Sequence, residues 1–317
     1  MKKYILNDNK KIIFLKNNEI LIESGHGIRI DVSETDYKSL SNICSKYTIF
    51  EKENISKDLF LKLYKNKIII EANKYISESY KTRYERNELF ASNFFKNKSF
   101  KLLFNKTILF VGVGGIASII IDQLISVGIK YYSIIDFDIV DSSNLNRQFV
   151  YSEEDIGKYK VDQFKKYILS KNKNALVNVY NIKINSSNQI ETIISKDKID
   201  FIINSADMPP CYLQKYIIEC SIKSKVPCIF GGVGINEGSY GPLLDNKQSK
   251  INELKKINSI LEKINYYFPC KSSFGITNSL VSNFMAWDII MYLMNEKKLV
   301  RSLNEVINID FRGKNNV

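Results

Sequence analysis

The stretch IDFDIVDSSNLNRQFV, residues 135–150, closes an apolar run with two acids, Asp136 and Asp138, and follows them with the amide of Asn144 and the guanidinium of Arg147. A carboxylate at a strand end is placed to bond a sugar hydroxyl. Upstream, FVGVGGIA offers Gly112, Gly114 and Gly115 between an apolar strand and a helix, where backbone N–H groups can meet a phosphate. Asp136 stands 24 positions after Gly112, at the end of the next apolar run. Together these residues point to a nucleotide. Taken alone, the glycine loop would suggest NAD, but it departs from G-x-G-x-x-G by its consecutive glycines and by Ala117 in the last place.

The elements that must hold these residues alternate. TILFV (from residue 107), KYYSIIDFD, VNVYNIKI (177–184), DFIINSAD (200–207) and VPCIFGGVG (226–234) read as strands with helical segments between them. The pattern predicts an α/β, Rossmann-like, doubly wound and mainly parallel sheet over residues 78–317. A last helix is expected over 278–297, and a polar helix over 78–104. Ahead of them, KKIIFLK, EILIES and GIRIDV are short strands, residues 34–48 a helix capped by Ser33 or Thr35, 56–66 a second helix, and KIIIEA a strand. This order predicts a small winged-helix-like domain over 1–77, and it also allows a plain dimerisation domain.

Composition removes several classes of function. The formal net charge of +12 comes from lysines spread along the chain, with no compact basic stretch interleaved with aromatics, so no nucleic-acid partner is expected. Five cysteines without C-x-x-C spacing argue for a reducing compartment and against a disulfide scaffold or structural zinc. His26 is the only histidine, which sets aside Ser-His-Asp chemistry and multi-histidine metal sites; in ESGHGIR it reads as a turn residue. The first residues lack the apolar core of a signal peptide, and no stretch is long and apolar enough to span a membrane. No membrane association and a cytoplasmic location are expected.

The ordered series VGVGGIAS, IIDFDIVDSSNLNRQFVYSEEDIGKYK and NSAD resembles the ThiF/MoeB superfamily of ubiquitin-activating-enzyme-like adenylyltransferases, over residues from about 83 to 295. The resemblance implies ATP as nucleotide and magnesium as its ion. It assigns Asp136 to the ribose, with Asp138 beside it in the nucleotide site, and Asn144 and Arg147 to phosphates. Lys160, in GKYK, would reach the triphosphate, and Asp207, in NSAD, would help to hold magnesium. RYERNELF (83–90) resembles the segment by which dimers of this family donate an arginine to the partner's site, so Arg86 is expected to act in trans within a homodimer.

Sulfur-carrier activators of the family carry two C-x-x-C pairs and often an acyl-accepting cysteine. Neither is present after GSYGPLL or near the C-terminus, so Cys211 and Cys270 are read as structural thiols. The strand-rich N-terminal module resembles the RiPP recognition elements of peptide-maturing enzymes, which add an extended peptide to a sheet edge. Over the whole chain, RYERNELFASNFF, NLNRQFVYSEEDIGKYK, GGVGINEGSYGPL and KINYYFPCKSSFGITNSL resemble the microcin C peptide nucleotidyltransferases (MccB-like). The resemblance implies a ribosomally made precursor peptide bound by the N-terminal domain, its C-terminal residue activated with ATP and joined to a nucleotide. A peptide dehydratase or cyclase of the same superfamily, and a non-catalytic partner that presents a leader peptide, remain alternatives. Residues 245–275 are expected to include a crossover loop, with Lys271, Ser272 and Ser273 as candidate peptide contacts.

Overall fold

A computed structural model describes residues 2–23, 27–46, 49–72, 76–79, 82–95, 98–265 and 272–312; His26, Cys270 and Lys271 lie outside them. The chain divides into two compact units, Met1–Phe100 and Lys101–Val317.

The first unit contains β1 (Tyr4–Leu6), β2 (Lys11–Phe14), β3 (Glu19–Glu23), β4 (Ile28–Asp31), α1 (Glu34–Lys46), α2 (Lys57–Lys65), β5 (Ile69–Glu71), α3 (Ile76–Ser79) and α4 (Glu85–Phe94). Strands β2, β3 and β4 form an antiparallel three-stranded sheet, and β1 pairs with β5 in a second, two-stranded one. Period-two alternation turns Ile20 and Ile22 of β3 into a core with Leu40, Ile43, Leu59 and Leu63. Ser33 caps α1 by accepting the Asp36 N–H at 3.1 Å, and Ser56 caps α2 by accepting the Leu59 N–H at 3.2 Å. Asp36 Oδ1 also accepts the Ser56 N–H at 2.7 Å, which ties the two helix starts together. Among the described residues, the stretch expected to be helical over 78–104 holds the end of α3, then α4, then a 3₁₀ turn at Phe100–Leu103. Near the end of α4, Asn93 turns its amide back onto the Leu89 carbonyl, the local competition that makes asparagine a weak helix former.

The second unit comprises β6 (Thr107–Val111), α5 (Gly115–Ser126), β7 (Tyr131–Ile135), α6 (Lys160–Lys171), β8 (Leu176–Tyr180), α7 (Ser187–Asp197), β9 (Phe201–Asn204), α8 (Tyr212–Ser224), β10 (Cys228–Val233), β11 (Glu237–Tyr240), α9 (Lys247–Leu261), α10 (Gly275–Leu293) and β12 (Ile307–Asp310). Its seven-stranded sheet has the order β12-β11-β10-β9-β6-β7-β8. Strands β8, β7, β6, β9 and β10 are parallel, and β11 and β12 extend the edge antiparallel. Parallel strands are covered on both faces, and so Ile108, Leu109, Phe110 and Val111 of β6 are all buried. The chain leaves β6 toward β7 on one side and returns to β9 on the other. Ligands of open α/β sheets bind at such a switch point, beyond the carboxyl ends of the strands.

At the opposite end of this sheet, Lys250 of α9 is buried among carbonyls. Its ammonium donates to Ser221 O at 3.0 Å and Val226 O at 2.9 Å, fastening α9 to the turn between α8 and β10, and burial pulls its pKa down. Much of the stretch expected to contain a crossover loop is therefore helix, capped by Asn246 on the Ser249 N–H at 2.9 Å. Among the described residues, no helix is long and apolar enough to cross a membrane.

Candidate functional site

Gly112 ends β6 with φ +85°, a left-handed conformation that suits glycine, and a Cβ there would stand 2.6 Å from Ala206 Cβ. The loops after β6 and β9 can therefore close on each other, and Ser205 Oγ donates to Gly112 O at 2.6 Å across the junction. Gly114 is the N-cap of α5, and the first-turn N–H groups of α5 have no intrahelical acceptor. At Gly115 a Cβ would collide with Asn278 Oδ1 from α10. From beneath, the buried Tyr151 donates its hydroxyl to Val113 O at 2.8 Å, and burial pushes this phenol well above its ordinary range.

Above the loop lies a cleft of about 490 Å³, within the usual span for small-molecule and cofactor sites, about 300–1,000 Å³. Gly112, Gly114, Gly115, Asp136, Asp138, Asn144, Arg147, Lys160 and Asp207, all singled out in the sequence, line it. Asp136 Oδ2 accepts the Val113 N–H at 2.8 Å and Oδ1 the Asp138 N–H at 2.9 Å. Burial pushes this carboxyl above its ordinary value, against the opposing pull of the Lys160 ammonium and the two N–H groups.

Lys160 is the first residue of α6, and its side chain is buried. Its ammonium lies 2.9 Å from Asp138 Oδ2, and its N–H donates to Asp138 O at 2.9 Å. The buried Asn144 spends its Oδ1 on the Asp141 N–H at 3.1 Å, within a reciprocal cap. Arg147 Nη1 donates to Ser143 O at 2.7 Å and to Asn146 Oδ1 at 2.8 Å. That bracing leaves the far edge of the guanidinium for the cleft. Four anion-binding elements thus converge: the helix terminus, an amide, a guanidinium and an ammonium.

Asp207 is exposed at the end of β9, where Asn204 folds the turn by donating its amide to Ala206 O at 3.2 Å. Among the described residues, no group of three or more His, Cys, Asp or Glu could hold a metal ion. Magnesium is commonly held by one or two carboxylates completed by substrate phosphates, so a single Asp207 beside a phosphate site fits its donor chemistry.

The sequence did not single out Gln148, Ser205, Asn278 or the apolar wall of Phe137, Ile182, Ile184, Met208 and Leu213, all of which line the cleft. Gln148 is buried, with its Oε1 unpartnered. It directly follows Arg147, and that adjacency was the available signal. Every lining residue comes from the second unit; Arg86 is exposed on α4 of the first. Cys220 and Cys228 are buried, and burial pushes the Cys228 thiol up to about 11, the reverse of an activated nucleophile. Cys211 is half-buried at the start of α8.

Residues 84–315 match the ThiF family. The adenylyltransferase and sulfurtransferase UBA4 of Scheffersomyces stipitis is 34% identical over 127 residues, 40% of this chain and 28% of that protein. A probable molybdopterin-synthase adenylyltransferase of Porphyra purpurea is 29% identical over 233 residues, 72% of this chain and 58% of its own length. In both cases the match spans less than two thirds of the relative. Among solved structures, E. coli MccB with AMPCPP and MccA superposes with a TM-score of 0.69 at 23% identity, covering 98% of this chain and 94% of that one. The microcin C7 biosynthetic enzyme MccB in complex with N-formylated MccA gives a TM-score of 0.67 at 23% identity, covering 97% and 94%.

Proposed function

The chain belongs to the ThiF family, and from that premise we propose that it is an ATP-dependent adenylyltransferase acting on the carboxylate of a ribosomally made precursor peptide. One observation carries the reading: a ribose-type carboxylate, Asp136, and the anion-binding set of Asn144, Arg147, Lys160 and the α5 N-terminus face one cleft. The peptide carboxylate attacks the α-phosphorus, a new P–O bond forms, the bond to the β-phosphate oxygen breaks, and pyrophosphate leaves. Negative charge grows on the non-bridging and leaving oxygens, where oriented cations and donors lower the barrier most. Arg147 and Lys160 supply that charge, Asn144 orients the phosphates, and Asp136 fixes the ribose. Asp207 would hold magnesium, which neutralises phosphate charge when bound.

The likeness to MccB supports a peptide as the second substrate. It extends over 98% of this chain, so it takes in the part of the first unit that precedes the ThiF match at residue 84. In this reading residues 1–77 form the peptide-binding domain, and the nucleotide is transferred to the peptide's C-terminal residue. The protein works as a homodimer, with Arg86 of each copy completing the other copy's cleft.

The direct test is to incubate a candidate peptide, encoded beside this chain's gene, with ATP, magnesium and the protein, and weigh the product. A gain of one nucleotidyl group with pyrophosphate release is expected. Loss of water from the peptide would instead mark a dehydratase. No pyrophosphate at all would leave only a peptide-presenting role.

A further inference from the structure

Between Asn144 and Arg147 stands a side chain that the nucleotide reading does not use. Asn146 does not line the cleft, yet it joins two parts of its wall. Its Oδ1 accepts from Arg147 Nη1 at 2.8 Å, and its Nδ2 donates to Ser273 O at 2.9 Å. The Ser273 hydroxyl in turn accepts from Asn278 Nδ2 at 3.0 Å, and Asn278 Oδ1 occupies the space that a Cβ on Gly115, at the start of α5, would need. The backbones are equally close: a Cβ on Gly275 would lie 2.7 Å from Asn146 O and 2.8 Å from Phe149 Cζ. The circuit begins and ends on nucleotide-binding groups, Arg147 and Gly115. Its middle is the segment Ser272–Phe274, whose two serines form part of the cleft wall.

We propose that Asn146 is a positioning residue that transmits occupancy of the phosphate site to the segment Ser272–Phe274, so that the second substrate meets an ordered wall only after the nucleotide has bound. The proposal rests on the reading of the cleft as a nucleotide site. Arg147 has committed Nη1 to Ser143 and Asn146, and its Nε and Nη2 carry no hydrogen bond to the described residues. A phosphate that takes those donors fixes the plane of the guanidinium. A rigid planar fork then fixes the direction of its Nη1–H bonds as well. Asn146 is a second planar group; holding its oxygen sets the direction of its N–H toward Ser273. Two planar groups in series carry orientation where flexible contacts would lose it. Coupling of this kind is reciprocal, so an ordered wall also tightens nucleotide binding by the same factor.

The test is hydrogen exchange of the full-length protein with and without AMPCPP and magnesium. In the wild type, AMPCPP should slow exchange across residues 272–279 about tenfold, within the usual range of coupling between sites. Asn146→Leu should still bind AMPCPP but reduce that slowing to about twofold or less. Asn146→Asp keeps an acceptor for Arg147 and sets a second acceptor against Ser273 O, and should lose the slowing to the same extent. A merely structural role would speed exchange equally in the free and bound states and leave their ratio at the wild-type value, which overturns the proposal. So does a wild type that binds AMPCPP without slowing exchange at 272–279. A wild type that binds no AMPCPP removes the nucleotide reading itself, and the proposal with it.

Discussion

Two carboxylates face the same cleft from the ends of β7 and β9, and they are held in opposite ways. Asp136 is half-buried and clamped by two backbone N–H groups, and its partial burial raises its pKa. Asp207 is exposed, with no hydrogen bond to the described residues. A clamped acid has its lone pairs aimed before any ligand arrives, which suits the reading of fixed hydroxyls. An exposed acid keeps its freedom to move, which suits a hydrated divalent cation. Arg147 and Lys160 line the cleft with them, and the proposed adenylation assigns the chemistry to this pair.

The largest effects are therefore expected on that pair rather than on the acids. Arg147→Ala and Lys160→Ala should each lower turnover by about a hundredfold or more, the usual scale for losing one charge-stabilising donor. Near-normal steady-state rates would take either residue out of the mechanism. Next, the two acids should separate by kinetic signature. Asp207→Asn should lower turnover by about tenfold or more and raise the magnesium needed for half-maximal rate. Asp136→Asn should instead raise the nucleotide KM about tenfold, about 1.4 kcal/mol, at unchanged magnesium dependence. A shared signature would erase the contrast.

Acid titration sharpens it further. Because the Asp136 carboxyl is raised above its ordinary value, nucleotide affinity should fall on acidification with a midpoint above that value, and the limb should vanish in Asp136→Asn. Stability runs the other way. The folded state binds this proton more tightly than the unfolded chain, so the Asp136 contribution to stability declines as pH rises from the unfolded value through the folded one. Affinity by calorimetry and denaturant midpoints over the same pH series check both slopes. The smallest effect is expected below the loop: Tyr151→Phe removes one hydrogen bond to Val113 O and should cost about 1 kcal/mol, seen as a severalfold rise in nucleotide KM.

Most of this cleft was legible because its parts are local to strand ends. A parallel strand leaves its carboxyl end toward the ligand, so Gly112, Asp136 and Asp207 could be placed from apolar runs and the residues that stop them. Lys160 and Arg147 were legible through ordered motifs. The rest comes from long-range packing. Asn278 reaches the loop from α10, and Tyr151 supports it from below, and neither has a local signature. Ile182 and Ile184 read as the tail of a strand, but β8 stops at Tyr180 and both line the cleft. Helix α9 carries Ile251, Leu254, Ile257 and Leu261 at nearly helical spacing, obscured by the lysines and asparagines between them. The expected domain boundary after residue 77 precedes α4, whereas the compact division follows Phe100.

The buried Lys250 has a practical use. Most of the described lysines are exposed and open to amine-reactive reagents at once. Lys250 is shielded by its own fold and holds two carbonyls with its ammonium, so it should label only when α9 lifts from the α8–β10 turn. Its labelling rate would time the local opening of the sheet end remote from the cleft, and comparing that rate with and without nucleotide would tell whether the two ends of the sheet loosen together or apart.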